Sequence, residues 1–252
     1  MPEVDSVGRG SIQGKKKSTV LAQHIVAEIV ASGLTAGDRL AAEADMCAHY
    51  GVGRSTIREA LRVLEHQGVV TIKTGPGGGP VVAPFDTGFL AANIALHLQL
   101  SGATFRDIMN ARLVIEPAIA GAAAEYGDPA TLEALANVID QSQADPGHVT
   151  LVEGAANFHD IVAAGSGNPF FEYLMRALHR ITEPFALRLP YEGSRRERLV
   201  THHSEIADAI ATGDRDVAAG MMRRDLLEFI DYVEHEVPQL LDEKIDWGRV
   251  KT

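Results

Sequence analysis

The sequence lacks the features that mark secreted and membrane-spanning proteins. It has a single cysteine, Cys47, so no disulfide can form within the chain. No apolar run approaches the roughly 18 residues that a transmembrane helix needs. The polar, lysine-containing N-terminus also lacks the apolar core of a secretory signal. From these absences we expect a cytoplasmic protein with no membrane partner.

Positive charge is scarce overall, but it is unevenly distributed. The chain has 252 residues and a formal net charge of −11. Residues 1–85 contain 9 Lys and Arg against 8 Asp and Glu, whereas residues 86–252 contain 14 against 26. An acidic second part is a poor partner for nucleic acid. Any DNA contact is therefore expected from a local cluster in the first part.

Residues 18–85 have the element order of a winged helix-turn-helix. Apolar periodicity predicts a first helix that stops at Gly33 and a second over residues 41–51. A third helix is predicted over residues 55–66, with Ser55 as its N-cap. Two strand-like segments then flank the glycine-rich stretch TGPGGG, as expected for a hairpin wing.

The rest of the chain is patterned as helix almost throughout. Seven helices and no convincing strand are predicted within residues 86–237, which indicates an all-α effector-binding and dimerisation domain. Residues 1–17 are expected to form a disordered tail, and residues 238–252 a C-terminal tail. The predicted fold class is mainly α, with an N-terminal winged helix-turn-helix followed by an all-α helical bundle.

Three arginines follow the glycine-flanked turn GVG at four-residue spacing: Arg54, Arg58 and Arg62. That spacing puts them on one face of a helix. Arginine pairs bidentately with guanine or clamps phosphate, and the hydroxyls of Ser55 and Thr56 suit phosphate or base contacts. An arginine-rich helix alone is more often simply solvated. The ordered set of turn, helix and hairpin favours binding of a double-stranded DNA operator.

The stretch GDRLAAEADMCAHYGVGRSTIREALRVLEHQGVVTIKTGPGGGPVV resembles the DNA-binding domain of the GntR family of bacterial transcription regulators. The resemblance implies five DNA-contacting positions: Arg54, Ser55, Thr56, Arg58 and the wing glycine Gly75. The sequence departs from the family pattern at Ala44, where members often carry a DNA-contacting arginine. The resemblance therefore implies one operator contact fewer and a different preferred operator.

Four helices of the predicted bundle each place one polar side chain on an apolar face. These side chains are Arg112, His159, His203 and Asp225. Buried charge is costly unless it is paired or bound, so the set indicates a site for a metal, an anion or both. The alternative is internal pairing. Arg112 has Glu116 one helical turn away, and Asp225 has His203 as a candidate partner.

The stretches ARLVIEPAIAGAAA, FHDIVAAGSGNP and HSEIADAIATGDRDVAAGMMRRDL resemble the FCD effector domain of the FadR-like branch of that family. The resemblance implies a metal held by one Asp and three His, and an effector-facing arginine at Arg112. The four metal positions here read Ala155, His159, His203 and Asp225. Two His and one carboxylate remain, a set that suits Zn²⁺, Mn²⁺ or Ni²⁺. The same departures also fit a site that has lost its metal.

Two other polar groups in the helical part are given ordinary roles. His202 is expected to face outward beside His203. The stretch SRRERLV, which contains Arg195, Arg196 and Arg198, is expected to be a solvated helix start, with binding of a phosphate-bearing effector as the alternative.

Together these observations predict a homodimeric, ligand-responsive transcription regulator, a repressor that senses a small organic acid with or without a metal. An effector that bridges the helices would shift the populations of two arrangements of the winged helices. One alternative is a constitutive DNA-binding protein with an inert helical dimerisation domain. The other is a helical metalloenzyme, which the absence of a positioned nucleophile or general base disfavours.

Overall fold

The computed structural model describes residues 16–75, 77–84, 86–144, 148–190 and 194–250. The predicted disordered tail lies outside these residues except at its last two positions. The chain forms two compact units, residues 1–89 and residues 90–252, and each is described by itself.

The first unit is a winged helix-turn-helix. Its elements are α1 Lys17–Ala31, α2 Glu43–Tyr50, α3 Arg54–His66, β1 Val70–Lys73 and β2 Gly79–Val82. The two strands pair antiparallel, with Val70 opposite Val82. The apolar face of α3 is fully buried through Ile57 and Leu64, at 0% and 1% exposure. Burial of that face leaves the polar face of the helix outward.

The start of α3 differs from the sequence prediction. The N-cap is Gly53, in an extended conformation, and no side chain caps the helix. Ser55 lies inside the first turn and is exposed, so the prediction of Ser55 as N-cap was wrong. The turn places the cap two residues earlier because Gly51, with φ of 64°, ends α2 in the left-handed region that glycine tolerates. The Ser55 hydroxyl therefore does not cap α3.

The described residues of the second unit form helices joined by short connections, with one isolated β-bridge between Thr104 and Lys244. Its helices are α4 Gly88–Ser101 (which begins at the boundary), α5 Phe105–Tyr126, α6 Pro129–Ala144, α7 His148–Gly165, α8 Pro169–Ala186, α9 Ser194–Ala211, α10 Arg215–Glu236, α11 Pro238–Leu241 and a 3₁₀ helix Trp247–Arg249. The predicted fold class is confirmed. Among the described helices none is both long and apolar enough to cross a membrane.

The segment predicted as a C-terminal tail belongs to the helical core. Leu240, Leu241 and Ile245 are buried at 0–2% exposure. The backbone N–H of Ile245 donates to the carbonyl of Ala103 at 3.0 Å. The N–H of Phe105 donates to a carbonyl of the same C-terminal segment. The sequence pattern of this segment was too short to show periodicity, so its burial was missed.

Helix α5 is the central element that positions the candidate site. It begins with a capping box, in which Thr104 and Asp107 exchange hydrogen bonds with each other's backbone. It then packs against α7, α9 and α10. Side chains on its buried face are therefore brought together with those of three other helices.

Candidate functional site

Three of the predicted ligand residues meet in the interior of the helical unit. His159 of α7, His203 of α9 and Asp225 of α10 each offer one ligand atom, and these atoms lie within 4.8 Å of one another. The side chains are buried, at 7%, 3% and 4% exposure. The spacing from the sequence thus brings together two imidazoles and a carboxylate from three different helices.

A glutamate orients the first histidine. Oε2 of Glu116 lies 2.6 Å from Nδ1 of His159, and Nε2 of the same ring lies 3.8 Å from Oδ2 of Asp225. The ring therefore turns Nε2 towards the other two candidate ligands. A carboxylate on the far nitrogen is the usual support of a metal-binding histidine. The sequence analysis considered Glu116 only as a partner of Arg112.

Glu116 also pairs with Arg112, whose Nε donates to its Oε1. Both side chains are buried, at 9% and 2% exposure. Burial raises the pKa of the Glu116 carboxyl, but the Arg112 guanidinium and His159 outweigh burial and hold that pKa well below its ordinary value. The glutamate is therefore ionised, and the internal pair foreseen as an alternative exists beside the candidate ligands.

His203 has the protonation state that a ligand needs. Burial lowers the pKa of its imidazole to about 3, so the ring is neutral at pH 7. Its ring stacks on Phe158 with centroids 4.0 Å apart. Nε2 of His203 is buried and makes no hydrogen bond to any described residue. An orphaned buried nitrogen is uncommon in folded proteins, and a bound ion would satisfy it.

Asp225 is held by His202, which the sequence analysis placed outside. His202 is only 5% exposed. Its Nδ1 lies 3.4 Å from Oδ1 of Asp225, and its Nε2 lies 3.2 Å from Oε2 of Glu228. The prediction of an outward His202 was wrong because α9 is covered by neighbours on more than one side, so two successive side chains point inward. Burial raises the pKa of Asp225, but His202 and His203 lower it below its ordinary value.

The predicted solvated helix start was also wrong at one position. Arg195 is 4% exposed, and its guanidinium lies 4.5 Å from the ring centroid of Tyr232 and 5.8 Å from that of Phe229. These aromatic faces replace water around the cation. Ala155, half-buried one turn before His159, offers only a methyl group.

The predicted DNA-contacting residues lie at the exposed start of α3. Arg54, Ser55 and Arg58 are exposed, and Thr56 is half-buried. Nε of Arg58 donates to Oε2 of Glu43 at 2.9 Å. A guanidinium has five N–H donors, so this bond leaves most of them available to phosphate or a base.

The wing is built from glycines with positive φ. Gly75 and Gly77 have φ of 93° and 74°, and both are exposed. Nη1 of Arg39 lies 3.8 Å from the position that a Cβ on Gly77 would occupy. An exposed guanidinium thus stands beside the wing tip. Arg39 was not singled out from the sequence, since nothing in its local pattern indicates proximity to the wing.

Two family models match the chain. The model for bacterial regulatory proteins of the gntR family matches residues 17–78, and the model for the FCD domain matches residues 107–228. Together they cover more than half of the sequence, one on each structural unit.

Curated relatives and a solved structure agree with these matches. The chain is 29% identical over 245 residues to the HTH-type transcriptional regulator YcbG of Bacillus subtilis, covering 96% of this chain and 97% of that protein. It is 28% identical over 211 residues to the HTH-type transcriptional repressor NanR of Citrobacter rodentium, covering 81% and 80%. A solved GntR structure from Streptococcus agalactiae superposes with a TM-score of 0.64 at 22% identity, covering 84% and 98%, which supports the fold. The chain is a transcription regulator of the GntR family that joins a winged helix-turn-helix to an FCD domain, and it is not an enzyme.

Proposed function

We propose that the protein is a ligand-responsive repressor that senses a small carboxylate at a divalent metal bound by His159, His203 and Asp225. The observation that carries this proposal is the cluster of three buried ligand atoms within 4.8 Å of one another. Its donor set of two imidazoles and one carboxylate suits Zn²⁺, Mn²⁺ or Ni²⁺ and leaves open positions.

When bound, the metal would supply a positive centre that accepts an effector carboxylate. The residues around the metal would position its ligands. Glu116 holds the ring of His159 with Nε2 towards the centre, and His202 holds Asp225. Both supports keep the ligands in place before an ion arrives, which lowers the entropic cost of binding.

Arg112 is the proposed effector-binding cation. Its Nε donates to Glu116, and among the described residues Nη1 donates to the sulfur of Met109, a weak acceptor, at 3.8 Å. The remaining N–H groups are suited to a carboxylate. An effector that contacts Arg112 on α5 and a metal held by α7, α9 and α10 would bridge four helices.

The readout is DNA binding by two copies of the first unit in a homodimer. We assign operator contacts to Arg54, Ser55, Thr56 and Arg58 on α3 and to Gly75 in the wing. The exposed start of α3 is the part of a helix-turn-helix that enters the major groove. An effector can change operator affinity only by its differential affinity for the two arrangements of the dimer. The name of the relative NanR supports repression.

A second candidate is constitutive DNA binding with an inert helical unit. The buried contacts of Glu116 with Arg112 and of Asp225 with His202 favour it, because each buried carboxylate then has a protein neighbour without any ligand. In that case small acids leave operator affinity unchanged.

The first test is elemental metal content per chain, measured on protein purified without a His-tag or chelator. We expect about one transition metal per chain in the wild type and little in His203→Ala. His235→Ala, on an exposed residue of α10, is the matched control and should keep the metal. Operator affinity is then measured against a panel of small carboxylates with metal present. Absence of metal from the wild type, and from protein reloaded with Zn²⁺, contradicts the proposed centre.

A further inference from the structure

A fourth histidine lies beside the candidate metal centre. His179 of α8 is 7% exposed, and its ring centroid is 5.7 Å from that of His159. It comes from a helix that contributes none of the three residues already assigned. The sequence analysis gave it no role.

One nitrogen of His179 is already committed. Nδ1 lies 2.6 Å from Oδ1 of Asp160, the residue that follows His159 on α7. That contact fixes the ring and turns Nε2 away from Asp160. Nε2 is buried and makes no hydrogen bond to any described residue. His159 is arranged in the same way, since its Nδ1 lies beside the Glu116 carboxylate.

The ring spacing fits two histidines that share an ion. A metal about 2.0–2.1 Å from an imidazole nitrogen places two ring centroids roughly 4.5–5.5 Å apart at angles of about 90–120°. His159 and His203, both in the assigned set, have centroids 5.4 Å apart. The 5.7 Å between His159 and His179 lies just above this interval, so a small approach of the His179 ring brings the two histidines to the spacing of a shared ion.

We propose that His179 is a fourth protein ligand of the metal centre, with Asp160 as the positioning residue that holds its ring. The proposal rests on the metal centre proposed above. His179 would replace the missing ligand at position 155 of α7, where Ala155 has no atom that can bind a metal. The atoms that lie within 4.8 Å of one another belong to His159, His203 and Asp225, so the proposal includes a rotation of the His179 ring towards them about its contact with Asp160.

The experiment is a Co²⁺ titration of the metal-stripped full chain, followed by visible absorption and by competition with a chelator of known affinity. We expect His179→Ala to weaken Co²⁺ binding by tenfold or more and to change the absorption bands, which report coordination. His179→Gln, which keeps much of the volume, should weaken it similarly. Asp160→Asn should cause a smaller loss than His179→Ala, of several-fold, because it removes the support of the ligand and keeps the ligand itself. His235→Ala is again the control.

A second variant tests whether His179 occupies a vacant ligand position. Residue 155 is four positions before His159 and so lies on the same helix face. Ala155→Asp combined with His179→Ala should therefore recover much of the lost affinity. Equal Co²⁺ affinity and spectra in the wild type, His179→Ala and His179→Gln overturn the fourth ligand and leave the three-residue centre intact. A wild type that binds no Co²⁺ overturns the centre itself, and the fourth ligand with it.

Discussion

Each unit contains an arginine whose Nε donates to a glutamate, but the two pairs stand in opposite surroundings. Arg58 and Glu43 are 63% and 34% exposed, whereas Arg112 and Glu116 are 9% and 2% exposed. In the exposed pair, the remaining N–H donors of Arg58 are accessible to solvent. The buried pair exists only because each charge compensates the other. The comparison shows that the same two residue types form an exposed pair in one unit and a buried pair in the other.

The largest effect should come from breaking the buried pair. Glu116→Ala leaves Arg112 without its carboxylate in a dry interior, which costs about 3–5 kcal/mol of unfolding free energy. Glu43→Ala removes the exposed counterpart and should cost about 0–1 kcal/mol. Chemical denaturation of both metal-stripped variants measures the difference. Equal losses would show that burial does not distinguish the two pairs.

The buried histidines should make the helical unit sensitive to acid. The folded-state pKa of His203 is about 3, below its unfolded value of 6.5, so the unfolded state binds the proton first as the pH falls. The contribution of His203 to the free energy of unfolding is fully present above the unfolded-state pKa of 6.5. It is lost as the pH falls towards the folded-state pKa of about 3. Between pH 7 and pH 5 the metal-stripped protein should lose about 2 kcal/mol from this group.

Burial also lowers the pKa of His179, which adds a loss of the same sign. Denaturation curves at the two pH values measure the slope, and His203→Gln should flatten it. A slope that persists unchanged in that variant assigns the acid sensitivity to other groups.

The exposed arginine should affect DNA rather than folding. Arg58→Ala is expected to weaken binding to an operator selected from a random-sequence pool by about 10- to 100-fold, since a good bidentate arginine contact contributes about 1–3 kcal/mol. Fluorescence anisotropy measures the affinity. Metal content and the melting of the helical unit should not change. An unchanged operator affinity would remove α3 from the proposed interface.

The smallest expected effect concerns Arg39 beside the wing. If its guanidinium meets a phosphate or the minor groove, Arg39→Ala should lower affinity several-fold and reduce the slope of log affinity against log salt by about 1. The exposed Lys16 on the same unit, paired with Glu59, is a suitable control position. If the slope of log affinity against log salt were the same in Arg39→Ala as in the wild type, Arg39 would make no contact with DNA phosphate.

The comparison also explains what could be predicted from the sequence. In the first unit the site follows from local order, since apolar periodicity buries Ile57, Leu61 and Leu64 and so turns the arginines outward. In the second unit, periodicity predicted the helices and the inward face of each. It could not predict that both His202 and His203 are buried, because that depends on neighbours packed around α9. Nor could it predict the contact between Asp160 and His179, which joins two helices.

The buried C-terminal segment determines where the chain can be truncated. Residues 238–250 fill the core with Leu240, Leu241 and Ile245 and hydrogen-bond to the backbone where α5 begins. That helix carries Arg112 and Glu116. Trimming the chain after α10 would therefore expose apolar surface and loosen the start of the helix on which the buried charges depend. For expression and crystallisation, a truncated chain should therefore keep the helical unit at least through Ile245.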